Sequence, residues 1–182
     1  SDGVLRVWRD PRFGQQDRLY SETPTDGRGS IMIWGCMTWH GPGYMCKIDG
    51  QMDASLYVEI LDECIPLTQE WYGINPMEMI FQQDNDPKHT SRLAKKYLED
   101  HGYTLLFWPP NSPDLNPIEH LWAYLKRQLA KYKTPPKGIN ELWNRVQVEW
   151  EKRTPEVCQS LIESMPRRIQ AVKRAKGYHT TY

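Results

Sequence analysis

The chain has 182 residues, a length typical of one domain with a buried core, and 39% of them are hydrophobic. Lys plus Arg and Asp plus Glu number 23 each, and a formal net charge of zero argues against a stand-alone nucleic-acid-binding module. No apolar run is long enough to span a membrane and no secretory signal is visible, so we expect an intracellular protein. The four cysteines lack CxxC spacing, which favours reduced thiols over a zinc site.

The N-terminal part of the chain is predicted to form strands. Val4–Trp8 and Tyr44–Ile48 are short apolar runs, and residues 9–28 have the composition of an extended polar loop. Ser30–Trp39 is apolar and β-prone, which predicts a buried strand. The His-Gly-Pro-Gly sequence of residues 40–43 predicts a turn after it. Three consecutive antiparallel strands would form a meander.

The middle of the chain alternates between helical and strand patterns. Apolar residues recur at helical spacing through Asp53–Trp71, and Asp53 suits the N-cap. A strand is expected to end at Asp84. A helix follows that Thr90 or Ser91 caps, that runs to about His101 and that Gly102 ends. Tyr103–Trp108 contains a continuous apolar run, as in a strand buried on both faces.

The C-terminal part is predicted to be helical. A helix over Pro117–Tyr132 carries an apolar stripe that we assign to the core, and residues 134–138 form a linker. The order of strands, alternating elements and helices predicts an α/β fold with a mixed sheet. We therefore expect a core of residues 1–133 and a helical extension of residues 134–182 packed on it. Three further helices are predicted to begin at Asn140, Pro155 and Arg167.

Two acids are placed where a divalent cation could be held. Asp84 follows a predicted strand, Glu119 lies in the first turn of a predicted helix, and thirty-four residues (85–118) separate them. Oxygen ligands on rigid elements suit hard cations such as Mg²⁺, and two such ions can clamp the attacking and leaving oxygens of a phosphoryl displacement. Asn116 to Glu119 also fits a capping box, and Asp84 also fits turn chemistry. Spacing alone does not decide between these interpretations.

Three stretches resemble the catalytic domain of Tc1/mariner-type transposases: SIMIWGCMTWHGPG, QQDNDPKHTS and WPPNSPDLNPIEHLW. The likeness runs from Ser1 through MPRRIQAVKRAKGYHT near the C-terminus. It implies an RNase H-like α/β fold and an acidic metal-binding triad in which Asp84 is the second member and Glu119 the third. The family's first Asp lies on a strand upstream of a turn that resembles Ser1-Asp2-Gly3. Relative to the family, this sequence therefore lacks that Asp, that strand and the N-terminal DNA-binding helices.

The resemblance implies cut-and-paste DNA transposition with Mg²⁺ or Mn²⁺: hydrolysis at a transposon end, then attack by the freed 3′-hydroxyl on target DNA. Without the first Asp, this chain is expected to be inactive or very weak alone. The main alternative is a domesticated, non-catalytic DNA- or protein-binding module, and a nuclease for RNA–DNA hybrids is a third. The implied partners are transposon-end DNA, target DNA and a second copy of the chain, with no membrane and no small-molecule cofactor. The implied location is the nucleus.

Further polar residues near these motifs are candidates for supporting roles. His89 could orient a water, a scissile phosphate or an acid, although a local hydrogen bond is the alternative, and Asn85 is a further candidate for a supporting role beside the acids. The basic candidates could equally be solvated residues on helix faces. The candidates for contacts to DNA phosphates are Lys126, Arg127, Arg167 and Arg168.

Overall fold

Two small β-sheets and six α-helices form the part of the chain that the computed structural model describes, namely residues 6–7, 30–107, 109 and 112–176. The strands are β1 (Arg6–Val7), β2 (Met32–Thr38), β3 (Gly41–Ile48), β4 (Ile80–Phe81) and β5 (Thr104–Leu105). The helices are α1 (Ala54–Tyr72), α2 (Arg92–Asp100), α3 (Pro117–Leu129), α4 (Ile139–Glu151), α5 (Pro155–Glu163) and α6 (Met165–Arg174). The predicted polar loop over 9–28 lies outside the described residues.

The first sheet is antiparallel and has the order β1-β3-β2, with β3 in the centre. The predicted meander is therefore wrong in its order, because β1 pairs with β3 and not with its neighbour in sequence. The predicted turn over 40–43 is also too long, since β3 already begins at Gly41. The Thr38 hydroxyl accepts from the His40 amide and donates to the Gly41 carbonyl, both at 3.1 Å, and Gly41 has a φ of 139°. Only a glycine tolerates this backbone conformation, so the chain reverses within Trp39–His40.

Burial is concentrated on β3 and not on β2. Met45 and Cys46 of β3 are fully buried, whereas β2, predicted to be buried, is half-buried and its Met32 is 47% exposed. All four cysteines are free thiols, and burial raises the pKa of the Cys36 thiol to about 11. The Cys36 thiol therefore stays protonated near neutral pH, as expected for a structural cysteine.

The second sheet consists of β4 and β5, which are parallel, with Ile80 opposite Thr104. The prediction that the apolar run after Tyr103 is buried on both faces is wrong. Leu105 and Leu106 are more than 40% exposed and Phe107 is 89% exposed. The reason is that, among the described residues, β5 has β4 as its only strand partner.

The predicted helix starts at α1 and α2 are confirmed by their caps. The Asp53 carboxylate accepts from the Leu56 amide at 2.9 Å, and the Ser91 hydroxyl accepts from the Ala94 amide at 3.1 Å. Gly102, two residues after the end of α2, has a φ of 69°, as expected for a glycine that ends a helix. No helix among the described residues is long and apolar enough to cross a membrane.

One core cluster joins β3 to helices α3, α4 and α5. The apolar stripe of α3 packs into this cluster as the sequence predicted. Trp150 of α4 is 1% exposed, stacks on Trp122 of α3 at 5.1 Å between ring centroids, and donates its indole N–H to the Gly43 carbonyl at 2.9 Å. The helices after residue 134 thus share a core with the sheet, and the division into core and extension stays a prediction.

Candidate active site

Asp84 lies in the loop after β4 and not at the strand end itself. The strand ends at Phe81, whose carbonyl accepts a last hydrogen bond from the Leu106 amide at 2.8 Å. The strand was predicted to end at Asp84, but it ends three residues earlier, because the pairing with β5 stops at Phe81. The side chain of Asp84 is 51% exposed, so its carboxylate is accessible to a ligand from solvent.

The two oxygens of the Asp84 carboxylate have different surroundings. Oδ1 accepts a hydrogen bond from the Asp86 amide at 3.0 Å and lies 2.5 Å from Nδ1 of His89. Within the described chain no hydrogen bond to Oδ2 is found. One oxygen therefore holds the side chain in place, and the other is able to bind a cation.

Asp86, two residues further on, has a structural role. Its Oδ1 accepts from the Lys88 amide at 2.9 Å and its Oδ2 from the Lys88 ammonium at 2.8 Å. Burial acts to raise the pKa of Asp86, but the hydrogen bonds and charge of Lys88 outweigh it, and the pKa is lowered. Both oxygens are engaged in the turn, which leaves Asp84 as the better candidate ligand of the two.

Glu119 lies in the first turn of α3 with its side chain exposed, as predicted. The alternative interpretation as a capping box is not supported. Asn116 makes no side-chain cap bond to α3, and its amide donates to the Pro113 carbonyl at 2.9 Å. Its side-chain Oδ1 accepts instead from Gln82 Nε2 at 3.4 Å. The Glu119 carboxylate is therefore not engaged in a capping box.

The Gln82–Asn116 hydrogen bond connects the two segments that carry the acids. Gln82 lies two residues before Asp84, and Asn116 lies three residues before Glu119. The structure therefore brings the loop after β4 against the turn before α3. Among residues 30–107, 109 and 112–176, no group of three or more metal-ligating side chains is found. A metal at these acids would need a ligand beyond the described carboxylates.

His89 makes the contact with Asp84 that its position in the sequence allowed. The imidazole is 16% exposed and lies against the ring of Tyr57, with 4.2 Å between ring centroids. Tyr57 and Gln83, which adjoin His89, were not predicted as site residues. Tyr57 belongs to the helical pattern of α1, and no local signal marks it as a neighbour of a loop 26 residues away. Asn85 is exposed beside Asp84, and its supporting role stays a prediction.

The four basic candidates differ in exposure. Lys126 and Arg127 in the last turn of α3 and Arg167 in α6 are exposed, which suits a contact to phosphate. Arg168 is 2% exposed, and its guanidinium donates to the Asp114 carbonyl at 3.1 Å and to the Ser164 hydroxyl at 2.6 Å. In this structure Arg168 supports the turn before α3 and does not face solvent. Contacts to DNA stay predictions for all four residues.

A family model described as a DDE superfamily endonuclease matches residues 5–143. The chain belongs to this family. The DDE domain is 40% identical over 183 residues to the Tcb1 transposase of Caenorhabditis briggsae and 38% identical over 183 residues to the Tc1 transposase of Caenorhabditis elegans. Each alignment covers 100% of this chain and 65% of the relative. The domain is therefore of the Tc1/mariner transposase type, which confirms the resemblance seen in the motifs.

Solved structures show the fold of this DDE domain. The Mos1 transposase catalytic domain, solved with Raltegravir and Mg, matches with a TM-score of 0.73 at 22% identity, covering 82% of this chain and 76% of that chain. The Mos1 mariner paired end complex with Mn matches with a TM-score of 0.74 at 20% identity, covering 98% of this chain and 55% of that chain. These likenesses confirm the predicted RNase H-like α/β class.

Proposed function

We propose that this domain catalyses cut-and-paste DNA transposition with Mg²⁺ or Mn²⁺. The observation that carries the proposal is the pair of exposed acids on adjoining segments: Asp84 has one oxygen held and one open, and Glu119 is not engaged in a capping box. The Gln82–Asn116 hydrogen bond ties these segments together. The relatives that match this chain along its whole length are transposases, which supports the same reaction class.

The donor set fits a hard divalent cation in part. Asp84 and Glu119 supply carboxylate oxygens, the ligands that Mg²⁺ and Mn²⁺ prefer. A Mos1 catalytic domain has been solved with Mg and with Mn, which supports the choice of metal. When bound, such ions stabilise charge on the attacking and leaving oxygens of a phosphoryl displacement. Asp84 and Glu119 would be the residues of this chain that hold them.

A third carboxylate is proposed to come from a strand upstream in the whole protein. Among the described residues, β2 pairs with β3 alone and β4 pairs with β5 alone, so each has an edge available for another strand. A strand that pairs with both β2 and β4 would join the two sheets, and an Asp on it would then lie in the same sheet as the segment that carries Asp84. This chain alone is therefore expected to be inactive or very weak.

The proposed reaction has two steps. Water first attacks a phosphodiester at the transposon end, the P–O3′ bond breaks, and a 3′-hydroxyl is released. That hydroxyl then attacks a phosphodiester of the target DNA, a P–O bond to the transposon 3′-oxygen forms, and the target's own P–O3′ bond breaks with release of a target 3′-hydroxyl. The contribution of this chain is to keep the Asp84 carboxylate in a single orientation and to present Glu119 from the start of a helix.

DNA is the proposed partner, with a second copy of the chain assembled on paired transposon ends and the nucleus as the location. A Mos1 transposase is solved as a paired-end complex with a transposon end, which supports the DNA partner. Lys126, Arg127 and Arg167 are exposed and are the proposed phosphate contacts. Because such contacts release counterions, binding should weaken as salt concentration rises.

The test is Mn²⁺-dependent cleavage of labelled DNA from the ends of the element that encodes this chain. This chain is compared with a version extended upstream through the proposed strand. We expect cleavage by the extended version only, and loss of cleavage by at least about 100-fold in Asp84→Ala and Glu119→Ala, because metal ligands are required for the chemistry. Asp100→Ala serves as a control, since Asp100 is an exposed acid paired with Lys96 in α2.

Folded protein without cleavage in either version would contradict the proposal. DNA binding by those same proteins would then support a domesticated binding module.

A further inference from the structure

Contacts among Tyr57, Gln83 and His89 support the loop that carries Asp84. The Tyr57 hydroxyl, on α1, donates to Gln83 Oε1 at 2.5 Å, and Gln83 Nε2 donates to the His89 carbonyl at 2.9 Å. The His89 ring lies on the Tyr57 ring, with centroids 4.2 Å apart and planes inclined by 34°. Nδ1 of His89 lies 2.5 Å from Oδ1 of Asp84. Tyr57 thus reaches Asp84 by way of its hydroxyl and of its ring.

The direction of the His89–Asp84 hydrogen bond follows from the chemistry of the two groups. A carboxylate only accepts hydrogen bonds, so Nδ1 of His89 carries a hydrogen atom and donates a hydrogen bond to Asp84 Oδ1. The other ring nitrogen, Nε2, is buried and has no hydrogen-bond partner in the described chain. With a single polar contact, the ring depends on packing for its orientation.

Tyr57 supplies that packing from a rigid position. It is 1% exposed, lies in the first turn of α1 and belongs to the core cluster between α1 and α2. Burial first, and then the charges of Asp84 and Asp86, raise the pKa of the Tyr57 hydroxyl, so the hydroxyl stays protonated and donates. A buried side chain on a long helix has few alternative rotamers, so the position of the His89 ring above it is well defined.

We infer that Tyr57 and Gln83 are positioning residues for Asp84. Tyr57 fixes the plane of the His89 ring, Gln83 fixes the backbone of His89, and His89 then holds Oδ1 of Asp84 so that Oδ2 is presented to a divalent cation. The last link rests on the proposed function, in which Asp84 is a metal ligand. Residues that orient metal ligands in this way typically change metal affinity by about 10–100-fold when they are replaced.

The experiment uses four variants of the full chain. Tyr57→Phe keeps the ring and removes the hydroxyl, and His89→Phe keeps the stacked ring and removes the donor. His89→Asn places an amide N–H near the position of Nδ1 and is the conservative rescue. Asp84→Ala identifies which part of the measured Mn²⁺ binding depends on Asp84.

Two readouts are made on each variant. The ¹⁵N signals of the histidine side chains report whether Nδ1 of His89 carries a proton in a hydrogen bond. The electron paramagnetic resonance of free Mn²⁺ during a titration reports affinity without any cleavage. We expect Tyr57→Phe to weaken the Nδ1–H signal, and both Phe variants to lower the Asp84-dependent Mn²⁺ affinity by about tenfold. We expect His89→Asn to recover most of that loss.

The matched control is a second contact between tyrosines and a histidine, in which the His101 ring lies against Tyr97 and Tyr103 of the same core cluster. The rings of Tyr97 and His101 lie 4.1 Å apart and are inclined by 33°. Unlike Nδ1 of His89, Nδ1 of His101 contacts a backbone carbonyl, that of Tyr97, at 2.8 Å. Tyr103→Phe removes a hydroxyl that donates to Gln69 Oε1 at 3.4 Å. His101→Phe and Tyr103→Phe should leave both readouts unchanged.

The two readouts distinguish two kinds of failure. An His89 Nδ1 without a proton would overturn the positioning role. An Nδ1–H signal and an Mn²⁺ affinity that Tyr57→Phe does not alter would overturn the part assigned to the Tyr57 hydroxyl and Gln83. If the unsubstituted chain binds no Mn²⁺ at Asp84, the metal-ligand function fails, and the inferred presentation of Oδ2 to a cation fails with it. In that case a change of the Nδ1–H signal in Tyr57→Phe would still show that Tyr57 positions the His89 ring.

Discussion

Gly43 lies where β3 touches both β2 and α1. A Cβ built on Gly43 would be 2.5 Å from Sγ of Cys36 and 2.7 Å from Cγ2 of Thr68. Its carbonyl also accepts the indole hydrogen bond of Trp150. The strand, its neighbour and two helices therefore meet at a residue without a side chain, which allows the close approach of their backbones.

Gly43→Ala is expected to lower the free energy of unfolding by about 2 kcal/mol, because an added methyl group forces Cys36 and Thr68 out of their positions. The measurement is urea unfolding followed by far-ultraviolet circular dichroism. Gly138→Ala is the control, since a Cβ at Gly138 meets no atom within 4 Å. Equal stability of the two variants would contradict the close packing described for Gly43.

At the scale of elements, α6 supports the segment that leads to Glu119. Arg168 of α6 is buried and donates to the carbonyl of Asp114, in the short turn Pro113–Leu115 that precedes α3. Its second hydrogen bond, to Ser164, ties it to its own helix. The last helix of the described chain thereby reaches one of the two acid-bearing segments, a connection of 54 residues along the chain.

Arg168→Met should destabilise the protein by about 1–3 kcal/mol, because buried acceptors lose a charged donor. We also expect faster hydrogen exchange at the amides of Leu115 and Asn116, which bond to the carbonyls of Ser112 and Pro113 within the same turn. The control is Arg167→Met, the neighbouring exposed arginine. Similar exchange rates in both variants would argue against the support of this turn by Arg168.

At the scale of the whole molecule, one core joins the sheet to the C-terminal helices. Trp150 is the largest fully buried side chain, and it contacts β3 through the carbonyl of Gly43 and α3 through the ring of Trp122. Because the same cluster contains residues of β3, α3, α4 and α5, these elements should unfold together.

Trp150→Ala is expected to cost about 3–5 kcal/mol, since it leaves a cavity and an unpaired carbonyl in the core. The loss should appear as a lower midpoint of urea unfolding. Hydrogen exchange measured at β3 and at α4 should show a single transition that is common to both elements. Trp39→Ala is the control, because Trp39 is 44% exposed in the hairpin turn. Separate transitions for the sheet and the C-terminal helices would favour two independent domains.

The sequence alone was sufficient for the features that depend on near neighbours. The caps at Asp53 and Ser91 and the glycine after α2 act within three or four residues, so their signals are local. The apolar stripe of α3 was predictable for the same reason. The motifs around Asp84 and Glu119 identified the family, and their role as metal ligands stays a prediction.

Only the tertiary structure decided the features that depend on residues far apart in the chain. The order β1-β3-β2 follows from the pairing of β1 with β3, which lie far apart in the chain, and the exposure of Phe107 depends on which elements cover β5. Arg168 is buried by a turn 54 residues before it, and Tyr57 lies beneath a histidine 32 residues after it. Composition and periodicity describe one element at a time, whereas these contacts arise when separate elements pack together.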